Sequence, residues 1–242
     1  MTTLFISDLH LSPLRPTMVS LFLDFLRRRA TRADALYILG DLFEYWIGDD
    51  SAAQPENSAI VQGLRALTAA GVPVFIMHGN RDFLLGREFE RLSGCQLLAD
   101  PARISLDGET LLLMHGDTLC SDDVDYQNFR GRVRDPVWQR QFLDKTPDER
   151  EQMARSVREL SQVAMTGKPP EIMDVNQTAV AAALREHGVR HLIHGHTHRP
   201  AQHEFTLDGQ LARRTVLGDW YEQGSVLRRE AGRWTLESFA SA

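Results

Sequence analysis

The first third of the chain alternates short apolar runs with longer segments whose apolar residues recur at helical spacing. The apolar runs cover residues 4–6, 35–39 and 73–77. The helical segments cover residues 17–29 and 58–70. This alternation predicts β-α units that build a parallel sheet. Each apolar run stops at polar residues, and the carboxyl edge of such a sheet is where ligands bind.

The second half of the chain has a different pattern. Residues 103–114 predict a hairpin around Asp107-Gly108, and residues 121–173 predict helices interrupted by prolines. We interpret residues 121–173 as a helical insertion or cap. A predicted helix over 177–186 leads to a predicted strand over 191–193. The remaining residues, with their glycine turns, suggest a β-meander that closes a second sheet.

Seven polar side chains at the predicted strand ends form a candidate metal site. They are Asp8, His10, Asp41, Asn80, His115, His196 and His198. Two pairs, Asp8-Leu9-His10 and His196-Thr197-His198, are separated by one residue, so on an extended segment both members could face one ion. Imidazole and oxygen ligands without thiolate suit Mn, Fe or Zn. Seven ligands suit two ions that share a bridging carboxylate, an arrangement used for attack on phosphorus.

A single histidine at a strand end is more often a loop or core residue than a ligand. We expect five histidines to be of that kind: His78, His187, His191, His194 and His203. The seven candidate ligands differ from such isolated histidines because every one of them follows a predicted strand. Glycine flanks most of them and lets the backbone turn sharply beneath a ligand.

Composition excludes several classes of protein. Of 242 residues, 43% are hydrophobic, which is enough for a sizeable core. The net charge of −6 gives no basic field for a nucleic-acid coat, so we expect no nucleic-acid partner. Cys95 and Cys120 stand far apart, which favours a reducing cytoplasm over a disulfide framework. No basic leader or bilayer-length apolar run is present, so we expect any membrane contact to be at the surface.

Five blocks of the sequence resemble those of the calcineurin-like metallophosphoesterases, in the same order and over most of the chain. The blocks are Asp8-x-His10, Gly40-Asp41, Gly79-Asn80, His115 and Gly195-His196-x-His198. The resemblance implies an α/β fold, a four-layer α/β/β/α sandwich, with residues 1–242 as one domain and a helical cap at about 121–173. It also implies two metal sites bridged by Asp41. One would contain Asp8, His10, Asp41 and His198, and the other Asp41, Asn80, His115 and His196.

One block departs from the general family pattern, which has a histidine after Gly-Asn. Here Arg81 follows Asn80, so the imidazole often assigned to protonation of the leaving group is absent. Arginine keeps its proton at neutral pH, but its planar fork can hold two phosphate oxygens. That suits a leaving group that needs little protonation, such as a sugar phosphate.

Longer runs narrow the resemblance to one branch of the family. These runs are residues 40–50, 114–120, 171–176 and 193–200. The branch hydrolyses the pyrophosphate bond of a lipid-linked, diacylated UDP-sugar in lipid A biosynthesis of Gram-negative bacteria and releases UMP. Resemblance to this branch implies two Mn²⁺ ions per chain and peripheral attachment to the cytoplasmic face of the inner membrane. No obligate protein partner is evident. The residues implied in catalysis are Asp41, Asn80, Arg81 and His196.

The same resemblance maps substrate contacts onto the site and the predicted cap. The contacts are Asn80, Arg81, Asp123, Tyr126, Ser161, Lys168 and His196. A further contact that is usually asparagine is Met165 here.

The acyl chains of such a substrate need an apolar groove, and the predicted cap contains suitable side chains. These are Val124, Phe129, Val133, Val137, Trp138, Phe142, Met153, Val157, Leu160 and Val163. Apolar residues at helical spacing equally suit the core of an inserted domain. The basic stretch Arg130, Arg132, Arg134 and Arg140 suits either docking on anionic lipid headgroups or a solvated helix face.

Two other functions remain open from the sequence. The same metals could serve a phosphodiesterase that acts on a soluble nucleotide, for which acyl chains would not matter. A non-catalytic scaffold could keep the fold for partner binding. Degenerate members of the family typically lose metal ligands, however, and none is missing here.

Overall fold

The computed structural model describes residues 1–167 and 172–240, and within them the strands form two sheets. The strands are β1 Thr2–Ile6, β2 Ala35–Ile38, β3 Val74–Met77, β4 Gln96–Leu98, β5 Ala102–Leu106, β6 Glu109–Met114, β7 His191–His194, β8 Ala201–Leu207, β9 Gln210–Val216, β10 Gly224–Glu230 and β11 Arg233–Phe239. The first sheet has the order β11-β10-β1-β2-β3-β4, and the second β5-β6-β7-β9-β8. Because β1, β2 and β3 are parallel, as are β6 and β7, the carboxyl ends within each group meet at one edge.

Seven α-helices lie in the described chain. They are α1 Pro16–Arg28, α2 Pro55–Ala69, α3 Arg87–Ser93, α4 Val124–Val133, α5 Pro136–Leu143, α6 Pro147–Thr166 and α7 Gln177–Glu186. Three of them, α1, α2 and α7, match helices predicted from the sequence. In α1, Pro16 occupies the first turn, where its missing N–H costs no hydrogen bond, and Arg27 and Arg28 complement the dipole of the last turn. Phe22 and Phe25 belong to its buried face.

Three apolar clusters separate the layers. Phe22 of α1, Leu64 of α2 and Phe89 of α3 belong to the cluster between these helices and the first sheet. A second cluster packs α7 on the second sheet. A third, which includes Phe5 and Ile193, lies between the two sheets. The order is therefore helices, sheet, sheet, helix, which confirms the predicted four-layer α/β/β/α sandwich.

The predicted C-terminal meander is wrong in part. β8 and β9 do form a hairpin in the second sheet, but β10 and β11 cross to the first sheet, where β10 pairs antiparallel with β1. The open edge of β1 supplies backbone hydrogen bonds for β10, a long-range choice that strand propensity does not encode. The sequence reading also missed α3 and β4, both short elements that follow the third β-α unit.

The segment predicted as a cap contains α4, α5 and α6, and residues 168–171 lie outside the described residues. Polar contacts join α6 to the sandwich: Arg150 donates to the carbonyl of Ile47 and pairs with Asp50, and Arg158 pairs with Glu44. None of the helices in the described ranges is long and apolar enough to cross a membrane.

Candidate active site

The seven predicted ligand residues lie together beyond the carboxyl ends of β1, β2, β3, β6 and β7. Five of them have left-handed backbone, with φ between 48° and 67°: Asp8, His10, Asp41, His196 and His198. Residues other than glycine rarely adopt this conformation, and where they do it often marks a functional site. The prediction that the two spaced pairs lie on extended segments is therefore wrong. β1 ends at Ile6 and β7 at His194, so left-handed turns, not the strand pleat, direct these side chains.

Two glycines let the turns approach the carboxylates. A Cβ atom at Gly79 would collide with Oδ1 of Asp41, and one at Gly195 would collide with Oδ2 of Asp8. Only glycine therefore fits at either position without moving a candidate ligand.

The ligand atoms form two overlapping groups, each close enough to hold one ion. In one group the atoms of Asp8, His10 and His198 lie within 4.8 Å of one another, and in the other those of Asp8, Asp41 and His115 do so. Oδ2 of Asp41 lies 3.9 Å from Nε2 of His10 and 3.8 Å from Nε2 of His115. One carboxylate oxygen thus stands between two imidazoles, as a bridging ligand would.

Asn80 and His196 extend the cluster. Oδ1 of Asn80 lies 2.9 Å from Nε2 of His115 and 3.0 Å from Nδ1 of His196. Nδ1 of His115 lies 2.8 Å from the carbonyl oxygen of Leu39. When Nδ1 donates this hydrogen bond, Nε2 of His115 is the ring atom that faces the cluster.

Burial acts against ionisation of the carboxyl groups of Asp8 and Asp41. Burial raises the pKa of Asp41 to about 7, and Asp82 and Asp8 add to this rise. Burial also opposes ionisation of Asp8, but the neighbouring histidines, His198 first, lower its pKa overall. A bound cation would stabilise both carboxylates in their ionised form.

The histidines divide into two groups. Burial lowers the pKa of His10, and it lowers that of His196 to about 4, so both are neutral and able to ligate. Burial acts in the same direction on His115, but Asp41 and its acidic neighbours raise its pKa to about 9. The negative charge that raises the pKa of His115 is charge that a bound metal cation would offset.

The residues present fit a divalent metal centre. Oδ1 of Asp8 is buried and makes no well-formed hydrogen bond within the described part of the chain, and its nearest charged neighbour is Nε2 of His198 at 3.3 Å. A buried carboxylate oxygen left in this way costs free energy unless a cation or donor occupies the space it faces. The surrounding set of carboxylate, amide and imidazole groups is one that Mn²⁺, Fe²⁺ or Zn²⁺ accepts.

Asp82 holds the two turns that carry Asp41 and Asn80. Its buried carboxylate accepts hydrogen bonds from the backbone N–H groups of Gly79, Asp41, Leu42 and Phe43, at 2.8 to 3.4 Å. No role for Asp82 was predicted from the sequence. Its place after a predicted strand, beside the ligand Asn80, was the available signal.

The five histidines predicted to be structural lie outside this cluster of ligand atoms. His78 contacts the carbonyl of Leu85, and His194 that of Gly195. The ring of His191 contacts Glu109 and Thr215. His187 is the C-cap residue of α7, and His203 is exposed on β8.

A groove of about 350 Å³ runs from Asn80 and Arg81 into the cap. Seven of the ten predicted apolar cap residues line it: Phe129, Val133, Trp138, Phe142, Met153, Val157 and Leu160. Trp46, Phe83 and Leu84 of the sandwich supply the facing wall. Phe129 is 40% and Leu160 70% exposed, so these side chains do not form a closed core for the cap. Val124 and Val137 lie outside the lining, and the side chain of Val163 lies outside the described residues.

The basic stretch of the cap does not form a single outer face. Arg130 pairs with the buried carboxylate of Asp117 at 2.7 Å, and Arg134 donates to the carbonyl of Gly79 at 2.8 Å. Arg132 and Arg140 are exposed. The interpretation of all four as one lipid-facing or solvated surface is therefore wrong, because two of them are drawn inward by acceptors of the sandwich.

Four of the predicted substrate-contact residues line the groove, and the others whose side chains are described do not. Asn80, Arg81, Tyr126 and Ser161 line the groove, and the Tyr126 ring lies 5.8 Å from that of His196. Oδ1 of Asp123 accepts a hydrogen bond from the N–H of Tyr126 and caps α4. Lys168 and the side chain of Met165 lie outside the described residues. Glu44 and Arg158 also line the groove, and sequence analysis assigned them no role.

The fold and the site together define a metal-dependent phosphoesterase. The family model for calcineurin-like phosphoesterases matches residues 1–200. The chain therefore belongs to the calcineurin-like phosphoesterase family, and it is a hydrolase with a divalent metal centre.

Individual relatives are similar over almost the whole chain. A protein of Stenotrophomonas maltophilia named UDP-2,3-diacylglucosamine hydrolase is 51% identical, and the match covers 99% of each chain. A protein of Aeromonas salmonicida with the same name is 53% identical and covers 98% of this chain and 93% of its own. A solved archaeal phosphodiesterase has the same fold at 11% identity, with a TM-score of 0.50 over 99% of this chain and all of its own.

Replacement of Asp82 by alanine would leave four backbone N–H groups of the metal-site turns without their acceptor. We expect Asp82→Ala to lower the free energy of unfolding by about 3 kcal/mol, because each unsatisfied buried donor is costly. Urea denaturation measures this change. The matched control is Asp208→Ala, which removes an exposed ion pair with Arg185 and should leave the free energy of unfolding almost unchanged. Equal effects of the two substitutions would contradict the assigned role.

Proposed function

We propose that this protein hydrolyses the pyrophosphate bond of UDP-2,3-diacylglucosamine and forms UMP and 2,3-diacylglucosamine 1-phosphate. Two similar proteins that match it from end to end carry the name of this hydrolase. The chemistry requires a site for a charged diphosphate that continues into a site for two hydrocarbon chains.

The groove is the observation that carries this proposal. One end contains Asn80, Arg81 and Arg158, beside the metal-ligand cluster, and the other is walled by aromatic and aliphatic side chains of the cap. Its volume of about 350 Å³ is in the range of ligand pockets. A soluble nucleotide would leave the apolar part without an occupant, so the groove favours an acylated substrate.

We assign two Mn²⁺ ions to the cluster, with Asp41 as the shared ligand. Asp8, His10 and His198 complete one site, and Asn80, His115 and His196 complete the other. When bound, such a pair of ions activates water as a nucleophile and neutralises charge on the attacked phosphoryl group. The position of one Asp41 oxygen between His10 and His115 supports this assignment.

Arg81 binds phosphate oxygens in this proposal. Its Nε is buried without a hydrogen-bond partner among the described residues, so this donor of the guanidinium is unused. Together with Asn80 and His196 it would hold the uridine-side phosphate. The new P–O bond forms from water to that phosphorus, and the bridging oxygen leaves on the sugar phosphate, which needs no proton from Arg81.

We place the acyl chains under the cap, residues 121–173, within a single domain of 1–242. Asp123, Tyr126, Ser161 and Lys168 are the proposed polar contacts of the acylated sugar. Asp117 would support them, because it accepts a 2.7 Å hydrogen bond from the hydroxyl of Tyr126 and pairs with Arg130.

We further propose that the cap meets the cytoplasmic face of the inner membrane in a Gram-negative bacterium. Val137 and Leu143 are 50% and 42% exposed, and Arg132 and Arg140 are exposed near them in sequence. Apolar side chains beside arginines suit a surface rich in anionic lipid.

Hydrolysis in ¹⁸O-labelled water tests the site of attack. With UDP-2,3-diacylglucosamine and Mn²⁺ we expect the label in UMP, as read by mass spectrometry. Addition of EDTA, or the substitution His115→Ala, should abolish release of UMP. Label in the sugar phosphate would place attack on the other phosphorus.

A charge in the groove tests the position of the acyl chains. We expect Val157→Asp to lower kcat/KM for the diacylated substrate about tenfold, since an apolar contact of about 1.4 kcal/mol is lost. The matched control is Leu211→Asp on the exposed hairpin of β8 and β9, which should leave kcat/KM within twofold, a difference of about 0.4 kcal/mol. If Val157→Asp lowered hydrolysis of UDP-glucosamine without acyl chains by the same factor, the groove would not hold those chains.

Cosedimentation with vesicles tests the membrane face. At low salt we expect more protein bound to phosphatidylglycerol vesicles than to phosphatidylcholine vesicles, and the double substitution Arg132→Ala, Arg140→Ala should reduce that binding at least threefold, about 0.7 kcal/mol. Protein that stays wholly in the supernatant with both vesicles would contradict peripheral attachment.

A further inference from the structure

The loop that follows β9 packs against the turn that carries Asp8 and His10. The backbone N–H of Trp220 donates to the carbonyl of Asp8 at 3.1 Å. Oδ2 of Asp219 lies 3.8 Å from Nδ1 of His198. The same short loop therefore faces two of the proposed ligands of one metal site.

Arg15 joins these two segments with its guanidinium. Nη1 donates to the carbonyls of Leu9 and His10 at 3.2 and 3.3 Å. Nη2 donates to the carbonyls of Trp220 and Tyr221, the latter at 2.8 Å. One charged group thus satisfies four carbonyl oxygens from two distant parts of the chain, including that of His10, whose backbone is left-handed.

The ring of Tyr221 stacks on the imidazole of His10. The two rings are nearly parallel, with an angle of 7° between planes and 5.3 Å between centroids. The guanidinium of Arg15 lies 4.9 Å from the centroid of the same tyrosine ring. Nδ1 of His10 makes no hydrogen bond within the described chain, and its nearest carboxylate is Glu44 at 3.5 Å. Ring stacking thus supplies a constraint that a hydrogen bond on Nδ1 supplies in many metal sites.

We propose that Arg15 and Tyr221 are positioning residues that hold His10 in the orientation required for metal binding. This inference rests on the proposed ligand set. Arg15 fixes the backbone on both sides, and the aromatic ring of Tyr221, not its hydroxyl group, fixes the imidazole. Substitution of either residue should weaken the site that contains His10 and spare the site that contains His115.

Titration of metal-free protein with Mn²⁺ by calorimetry tests the proposal. We expect the unsubstituted protein to bind two ions and Tyr221→Leu to bind one of them at least tenfold more weakly, in the range that supporting residues of metal sites contribute. Tyr221→Phe keeps the ring and should stay within twofold, a difference of about 0.4 kcal/mol. Leu211→Ala, an exposed position on β9, is the control for loss of an apolar side chain.

A double substitution separates positioning from general damage to the fold. We expect Arg15→Met to weaken the same ion, and Arg15→Met with Tyr221→Leu to be no weaker than the more affected single variant by more than twofold, because both act through one imidazole. Thermal unfolding checks that each variant is folded at the titration temperature. Tyr221→Leu that binds both ions as tightly as the unsubstituted protein would overturn the proposal.

His10→Ala distinguishes this failure from failure of the proposed function. It should lose one of the two ions. If it keeps both, or if the unsubstituted protein binds none, the ligand assignment itself is wrong. If His10→Ala behaves as expected while Tyr221→Leu does not, only the positioning role falls.

Discussion

One buried carboxylate, that of Asp82, holds the turn after β2 against the turn after β3. It accepts hydrogen bonds from four backbone N–H groups of these turns, and the same turns present Asp41 and Asn80 to the site. Asp41 is itself in the left-handed region, a conformation that costs free energy and persists only where neighbouring groups impose it. The arrangement of the metal ligands thus depends on a residue that is not one of them.

The parts of the fold that depend on local pattern could be predicted from the sequence. Apolar runs that end in polar residues gave the parallel strands and the edge at which the seven candidate ligands lie. The pairing of β10 with β1 could not be predicted, because it depends on which sheet edge is free and not on the strand itself. The left-handed turns at Asp8 and His198 were equally hidden, since a spacing of two residues suits an extended strand as well as a pair of turns. Tyr221 was missed because its role depends on contact with His10 across more than 200 residues of sequence.

The carboxylates near the site fall into two groups, those that pair with an arginine and those that face histidines. Asp117 and Glu44 each hold an arginine of the cap, Arg130 and Arg158 respectively, so the cap is joined to the sandwich by ion pairs beside the groove. Asp8 and Asp41, by contrast, form no ion pair with an arginine among the described residues and face histidines instead. The net charge of −6 therefore describes the polypeptide, and bound divalent cations would offset part of it at this edge.

The central claim is that Asp41 bridges two metal ions at the meeting point of the strand ends. Crystals grown with Mn²⁺, measured on both sides of the manganese absorption edge, test it directly. The account predicts two anomalous peaks, both in contact with the carboxylate of Asp41, one beside His10 and one beside His115. A single peak, or two peaks of which neither touches Asp41, would contradict it.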